Sequence, residues 1–336
     1  MMIGLLVSGI TFAAQNALDP AGPLAGRINS LTRVMIYLLS AIFIIVMIVL
    51  AIAAFRRQRH TTPEPEPHNA VIPPQHDREQ RLSHTVTAGV LLSVAILFVL
   101  LVSSFLIGHK VFTSPDRSNA LIIEVNGRQW WWDVRYDHPV PSQIVTTANE
   151  IHIPVGRPIV LRLGSNDVIH SFWVPNLHGK MDMIPGRTQE FALQADRPGV
   201  FRGQCAEYCG HQHAHMALLV IAEPEDQFNA WYQAQLQPAP APSTASQING
   251  QKVFLSKPCV MCHRIQGTDA GGRLGPDLTH VASRQTIAAG TLNNSREHLS
   301  QWIQNSQDVK PGNRMPPIPV NGNDLNSLLD YVQSLK

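Results

Sequence analysis

The chain of 336 residues is long enough for two or three domains. Its formal net charge is only +2, which argues against nucleic acid as a partner. The hydrophobic fraction of 44% is ordinary, but the longest apolar runs all lie in the N-terminal third.

The first apolar stretch, Met1 to Ala14, is too short to cross a bilayer. It ends in small residues, a pattern typical of a signal peptide that is cleaved near Ala13 or Ala14, although the usual basic segment is missing. We therefore predict a signal peptide over residues 1–14.

Two uncharged apolar runs follow, Val34 to Phe55 and Val86 to Ile107. Each exceeds the ~20 residues that cross a ~30 Å hydrocarbon core. Neither has the polar stripe of a helix on the surface of a soluble core. They predict two transmembrane helices within residues 33–107. The loop between them is rich in arginine, which predicts a cytoplasmic loop and places the rest of the chain on the outer face.

Short β-type runs occupy residues 118–223 and are separated by Gly, Pro, Asn and Asp, as in a β-sandwich or small barrel. The predicted strands are Leu121–Val125, Ile151–Val155, Ile159–Leu163, Gln189–Leu193 and Ala217–Ala222. Residues 224–247 are predicted to hold an end helix and a linker, the latter over the Pro/Ala-rich stretch Pro238 to Ser246.

Helical periodicity replaces the β pattern over residues 248–336. Ser295 to Asn305 is predicted to be a helix capped by Ser295. A second helix carries apolar residues on one face up to Leu335, with Asn323 or Asp324 as its N-cap. These residues therefore predict a small all-α domain.

All four cysteines lie in two short clusters, of which the first contains Cys205 and Cys209. His213 and Met216 follow directly, and thiolate, imidazole and thioether are all ligands that suit copper. His170, which is predicted to lie on another loop between β-type runs, is the best candidate for a further imidazole. The alternative is a Cys205–Cys209 disulfide with incidental histidines, because the outer compartment is oxidising.

The second cluster, Cys259-x-x-Cys262-His263, is the attachment motif of a c-type haem, in which both thiols bind the porphyrin and the histidine binds iron. A redox-active pair as in thioredoxin is the rival, but no βαβ pattern surrounds it. Met315, which lies between prolines, is the candidate second axial ligand. Ligation by His and Met raises the reduction potential.

A longer motif surrounds the copper cluster: His170-Ser-Phe-Trp-Val-Pro, Lys180-Met-Asp-Met-Ile-Pro-Gly186 and Cys205-x-Glu207-x-Cys209-Gly-x-x-His213-x-x-Met216. This motif resembles subunit II of the haem-copper cytochrome c oxidases. The resemblance implies a cupredoxin fold, a Greek-key β-sandwich, that holds a binuclear copper centre, CuA.

In that family the two cysteines bridge both copper ions. By resemblance, His170 and Met216 complete one ion, and His213 with the backbone carbonyl of Glu207 completes the other. The side chain of Glu207 matches the family's contribution to a magnesium site shared with subunit I.

The run Gln129-Trp130-Trp131-Trp132 also matches the family, in which the first tryptophan is the point where electrons enter. Considered without the family, three consecutive tryptophans alternate between the faces of a strand, so at least one should be exposed. The chain departs from the family at Leu82-Ser-His-Thr-Val-Thr87, where the second span usually begins with Glu followed by Trp-Thr. That Glu marks the mouth of a proton path, so its absence puts proton uptake through this subunit in question.

The segment from about Ile248 resembles a small class I cytochrome c, with Leu274-Gly-Pro-Asp-Leu278 and Trp302-Ile303 in the expected places. The fusion as a whole resembles the cytochrome-c-linked (caa-type) oxidases of bacterial plasma membranes. The linker would let the haem domain swing against the surface around Trp130.

The resemblance implies an electron-transfer subunit of a proton-translocating terminal oxidase. An external donor, such as cytochrome c or a quinol-oxidising complex, would reduce haem c, and electrons would pass through CuA to subunit I, where O2 is reduced to water. Subunits I and III and membrane lipid are the implied partners. Neither predicted span contains histidine, so catalysis is assigned to a partner.

Two alternatives stay open. The same relay subunit would also serve a CuA-type nitric oxide reductase, which the missing Glu slightly favours. A membrane copper-delivery chaperone would also show Cys-x-x-x-Cys and a distant His, but it would need a thioredoxin-like fold and has no use for Met216 or haem.

Overall fold

The computed structural model describes residues 15–58, 76–112 and 119–336. The predicted signal peptide and most of the predicted cytoplasmic loop lie outside these ranges. The chain divides into two compact units: residues 27–113 form one, and the rest of the chain forms the other.

Two long helices account for the smaller unit. Helix α1 spans Pro23–Gln58 and α2 spans His76–Phe112. Each contains one of the predicted apolar runs, and both are long and apolar enough to cross a membrane. The most apolar window of each helix buries no residue within the protein. A helix that is apolar on every side and unburied is suited to lipid.

Ten strands form the sandwich domain, which we define as residues 119–223. They are β1 Leu121–Arg128, β2 Trp131–Tyr136, β3 Val145–Ala148, β4 Glu150–Pro154, β5 Ile159–Ser165, β6 His170–Trp173, β7 Lys180–Met183, β8 Gln189–Leu193, β9 Gly199–Cys205 and β10 Ala217–Glu223. They make two five-stranded sheets in the orders β3-β2-β1-β5-β8 and β4-β10-β9-β6-β7. Every predicted strand overlaps an observed one, and the predicted sandwich is confirmed.

Alternating side chains fill the space between the two sheets. Along β2, Trp132, Val134 and Tyr136 are fully buried, while the residues between them are only partly buried. Trp132 meets Phe172 of the facing sheet edge-to-face, with ring centroids 5.9 Å apart. This period of two, read from the sequence, is what gives each strand a core face.

The helical domain, defined here as residues 245–336, contains five α-helices, one turn of 3-10 helix (Val281–Ser283) and a short hairpin. After α3 (Glu225–Gln235), the elements are α4 Ala245–Ser256, α5 Cys259–Cys262, β11 Thr286–Ile287, β12 Leu292–Asn293, α6 Arg296–Gln304, α7 Ser306–Val309 and α8 Gly322–Ser334. The predicted cap of α6 is confirmed, because the Ser295 side chain accepts from the backbone N–H of His298.

Two predicted boundaries were wrong. The linker ends before Ala245 rather than at Ser246, because Thr244 and Gln247 form a capping box that starts α4. Helix α8 is capped by Asn321 rather than by Asn323 or Asp324. Asp324 instead lies in the first turn, where its side-chain charge complements the helix dipole.

Candidate copper and haem sites

The predicted copper ligands meet at one end of the sandwich domain. Strands β6 and β9 are antiparallel neighbours in which Phe172 pairs with Cys205, so His170, two residues earlier on the same face of β6, lies diagonally beside Cys205. The loop that follows Cys205 returns to the same place, since the backbone N–H of Cys205 donates to the carbonyl of Met216 across 2.9 Å. The loop after Cys205 supplies most of the candidate ligands, and the pairing of β6 with β9 adds His170 to them.

The two cysteine sulfurs lie side by side without a bond. Their Sγ atoms are 3.8 Å apart, whereas a disulfide requires ~2.05 Å. Both side chains are free thiols and buried. The structure therefore contains no Cys205–Cys209 disulfide and leaves both sulfurs available to a metal.

Each sulfur has its own imidazole. Nδ1 of His170 lies 3.8 Å from Sγ of Cys205, and Nδ1 of His213 lies 3.6 Å from Sγ of Cys209. Sδ of Met216 is 3.9 Å from Sγ of Cys209. The backbone oxygen of Glu207 is 3.2 Å from Sγ of Cys205.

These separations fit a metal between the donors. With ~2.0 Å to nitrogen and ~2.3 Å to sulfur, as zinc sites show, an ion spans nitrogen–sulfur distances of up to ~4.3 Å. Ligand atoms of His170, Cys205 and Cys209 all lie within 4.8 Å of one another. His170 and Met216 are fully buried, and His213 is partly buried. The donor set is therefore suited to copper.

The thiol pair is poised to supply a thiolate. Hydrogen bonding from Cys209, and then from His170, lowers the pKa of Cys205 despite its burial. The same contact with Cys205, reinforced by burial, raises the pKa of Cys209. The pair therefore favours a thiolate at Cys205, and a metal ion bound here would have to displace the proton that remains on Cys209.

The haem motif occupies the short helix α5 and the residue after it. Cys259 and Cys262 are free, partly buried thiols at the two ends of that helix. Nδ1 of His263 donates to the carbonyl of Pro276 across 2.7 Å, which leaves Nε2 as the acceptor that can bind iron. Burial lowers the pKa of His263 and so favours the neutral imidazole that metal binding requires.

Gly275 explains why the Leu274-Gly-Pro-Asp-Leu278 motif accompanies the haem cysteines. A Cβ atom at Gly275 would lie 2.8 Å from Cε1 of His263. Only glycine therefore lets this loop pass close enough for Pro276 to hold the imidazole. The residues present thus fit a covalently bound haem.

Met315 lies in a loop whose backbone is held in place. Its N–H donates to Asn313, and its carbonyl accepts from Ser306 and from Gln307, over 2.5–2.9 Å. The thioether takes no part in these bonds and is only partly buried. A fixed loop with an uncommitted sulfur is consistent with the predicted axial ligand.

Comparison with known proteins gives matches to both domains. The family model described as cytochrome c oxidase subunit II, periplasmic domain, matches residues 138–223, and the cytochrome c model matches residues 247–336. Cytochrome c oxidase subunit 2 of Alkalihalophilus pseudofirmus is 35% identical over 95% of this chain and 90% of its own length. This chain belongs to the cytochrome c oxidase subunit II family.

Two further relatives carry the same name. Cytochrome c oxidase subunit 2 of Bacillus sp. (strain PS3) is 31% identical over 79% of this chain and 77% of its own length. That of Bacillus subtilis is 26% identical over 100% of this chain and 96% of its own length. The predicted resemblance is thus confirmed: this is subunit II of a haem-copper oxidase with a cytochrome c domain, and copper and haem c are its implied cofactors.

The fold excludes one of the alternatives. A copper chaperone of the type considered above needs a thioredoxin-like fold, whereas this subunit II holds its cysteines in a β-sandwich. Electron transfer, and not copper delivery, is the role that the family and the fold support.

Trp130 lies against the loop of residues 205–216, which we call the copper loop. Its indole N–H donates to the carbonyl of Cys209 across 2.9 Å. Gly210 permits this approach, because a Cβ there would lie 3.0 Å from the Trp130 ring. The expectation of an exposed tryptophan was wrong: Trp130 and Trp132 are buried and Trp131 is partly buried. Trp130 precedes β2, so strand alternation does not apply to it.

Asp167 is a site residue that the sequence analysis missed. Its carboxylate accepts from Nε2 of His170 across 2.8 Å, so Nδ1 faces Cys205. Burial opposes ionisation of Asp167, but hydrogen bonds from His170 and two backbone amides outweigh it and lower its pKa. A carboxylate three residues before a candidate ligand histidine is the signal that would have found it.

The Glu207 side chain points away from the sulfurs. Its carboxylate is 44% exposed and lies 3.8 Å from Nζ of Lys180, which also lies 3.6 Å from Asp182. The backbone oxygen of Glu207 therefore lies beside Cys205, whereas its carboxylate lies beside Lys180. Separate positions of this kind are what a copper ligand at the carbonyl and a magnesium ligand at the side chain would need.

Proposed function

We propose that this subunit passes electrons from an external donor through haem c to a binuclear CuA centre, and on to the catalytic subunit I, where O2 is reduced to water. The observation that carries the proposal is the convergence of His170, His213, Met216 and the carbonyl of Glu207 on the unbonded Cys205–Cys209 pair. Bound there, two copper ions would share one unpaired electron with little change in geometry.

The pairing of donors supports two ions rather than one. Each thiol has a separate imidazole on its own side, so the two sulfurs are placed to bridge. Asp167 holds one imidazole in its ligating orientation, and most of the donor side chains are buried. A donor set that is held rigidly needs little reorganisation when charge changes, which suits a relay.

The helical domain supplies the other centre. Cys259 and Cys262 would attach the haem, His263 would bind iron on one side and Met315 on the other. Pro276 fixes the tautomer of His263, and the loop contacts of Met315 fix its backbone. Ligation by a thioether raises the reduction potential of the iron, as an electron donor to an oxidase requires.

Topology and partners follow from the family pattern. Helices α1 and α2 would anchor the subunit in a bacterial plasma membrane, with both redox domains on the outer face. Subunits I and III would be its neighbours, and Glu207 would contribute to a magnesium site at the contact with subunit I. Proton translocation would belong to the assembled oxidase.

A nitric oxide reductase is the second candidate. The observation that favours it is the start of α2, where Leu82 to Thr87 lacks the Glu that marks the family's proton path. Glu79 and His84 are the nearby titratable residues that would have to replace it.

Purification of the membrane complex tests the proposal. The complex should contain a haem-copper subunit I and should consume O2 when the donor is reduced. Consumption of NO without O2 would support the second candidate, and a preparation without a catalytic partner that consumes neither gas would refute both.

A further inference from the structure

The helical domain inserts one buried lysine into the sandwich domain. Lys310 is 2% exposed, and its Nζ donates to the carbonyls of Trp130 at 2.9 Å and His215 at 2.8 Å. A third contact, at 3.2 Å, is to Ala288 of its own domain. One ammonium group thus joins the loop that carries Met315 to the tryptophan beside the copper loop.

The sandwich domain, in turn, places a buried carboxylate against the helical domain. Glu150, at the start of β4, is 2% exposed. Its Oε1 accepts from the backbone N–H groups of Gln285 and Thr286 at 2.8 and 2.9 Å, and from the Thr286 hydroxyl at 3.2 Å. Each domain therefore places one charged side chain among backbone groups of the other.

A bent hairpin tip lies between these two contacts. Ala288 and Ala289 have φ values of 54° and 57°, a conformation that residues other than glycine rarely adopt. The bend presents the Ala289 carbonyl to the N–H of Ala217 at 3.0 Å, at the start of β10. Strain of this kind persists only where surrounding contacts hold it, and here those contacts come from the other domain.

We propose that Lys310 and Glu150 are positioning residues that lock the helical domain in one orientation over Trp130, so that the haem domain is held against the copper domain instead of swinging on its linker. The inference rests on the proposed relay and adds its geometry. Gln212 supports the same contact by donating to the carbonyl of Pro311 across 2.7 Å.

The energetics favour a role in orientation over one in stability. Burial lowers the pKa of Lys310 to about 7, and burial raises the pKa of Glu150 despite its amide partners. Both charges therefore carry a desolvation cost, which makes a buried charge a poor source of net stability. Each charge nevertheless needs its hydrogen-bond partners in the other domain, so a misaligned docking would leave both charges buried without partners.

Amide hydrogen exchange on the full-length protein, loaded with copper and haem c, tests the lock. Lys310→Met and Glu150→Gln remove one charge each at similar side-chain size, and Lys252→Met, at an exposed position of helix α4, is the matched control. We expect Lys310→Met to weaken protection of the Gln285 and Thr286 amides, which it does not touch. Glu150→Gln should weaken protection of the Ala217 amide, and Lys252→Met should change neither.

Electron transfer provides the second measurement. After photoreduction of haem c, the rate of copper reduction should fall roughly tenfold or more in both variants, because each variant removes a buried charge-assisted contact that aligns the two domains. Both optical spectra should stay unchanged. If Lys310→Met does not fold, Glu150→Gln alone carries the test, since Glu150 is not among the proposed ligands.

Unchanged protection at these remote amides in the variants would overturn the lock, whether or not the transfer rate falls. Protection lost with no change in rate would also overturn it, because orientation would then be irrelevant to the relay. A wild-type protein that shows no transfer from haem to copper would refute the proposed function instead, and the exchange data would still report on docking.

Discussion

The indole N–H of Trp130 donates to the backbone carbonyl of Cys209 across 2.9 Å, so the tryptophan predicted to admit electrons is hydrogen-bonded to a predicted copper ligand. The carbonyl of the same tryptophan accepts from Lys310 of the helical domain. Trp130 therefore lies between the two redox domains instead of facing solvent.

Trp130→Phe keeps an aromatic ring but removes this hydrogen bond. We expect slower electron transfer from haem to copper, with the copper spectrum retained. The lost bond and the smaller ring should lower the free energy of unfolding by about 1–3 kcal/mol. Flash photolysis and denaturant titration measure the two effects. The neighbouring Trp131→Phe is the control, and equal transfer rates in both variants would contradict the assignment.

Met216→Leu tests the axial thioether of the copper site. Leucine nearly conserves the volume, so the stability cost should stay below about 1.5 kcal/mol. The copper absorption should change and electron transfer should slow, while the haem spectrum stays the same. Met183→Leu, at another fully buried methionine, should leave the copper absorption unaltered. An unaltered copper spectrum in the Met216 variant would remove that residue from the ligand set.

Met315→Ala tests the second axial ligand of the haem. We expect loss of the weak sulfur-to-iron absorption band and a lower reduction potential, because the thioether stabilises reduced iron. Redox titration followed by visible absorption measures both. Met261→Ala, within the haem motif but 66% exposed, is the control. A Met315 variant that keeps the band would show that another residue binds the iron.

Asp330 connects three helices of the helical domain and gives a pH-dependent prediction. A hydrogen bond from Ser246, together with the ion pair to Arg296, lowers the pKa of Asp330. A lowered folded-state pKa means that the stabilisation is present above the unfolded value, 3.8, and is lost as the pH falls through the folded value.

Asp330→Asn should therefore destabilise the protein near neutral pH but not in strong acid. Because the ion pair is partly exposed and screened, we expect only about 0.2–1 kcal/mol. Thermal unfolding from neutral pH downwards measures the difference, with Asp269→Asn at an exposed position as control. A destabilisation that persists at the lowest pH would assign the effect to packing.

Local patterns were sufficient for much of the fold. Strand alternation, the capping Ser295 and the cysteine spacing act over a few residues, so the sequence reveals them directly. His170 could be named as a candidate ligand from its residue type and surroundings, but its position beside Cys205 could not be predicted, because the pairing of β6 with β9 is not visible in either segment.

The contacts between domains could not be predicted. Lys310 and Trp130 are 180 positions apart, and no sequence pattern in either segment indicates that the two are in contact. Polar residues such as Glu150 are ordinarily expected at the surface, so their burial depends on a docking that only the structure shows. The prediction that at least one of the three tryptophans is exposed was also wrong, and Trp130 lies at this contact between the domains.

Metal analysis combined with electron paramagnetic resonance on the full-length protein tests the central claim most directly. The account predicts two copper ions per chain beside one haem iron, with hyperfine structure from one electron shared by two copper nuclei, and Cys205 and Cys209 unbonded to each other. Iron without copper in a correctly matured preparation, with those two sulfurs joined in a disulfide, would contradict it.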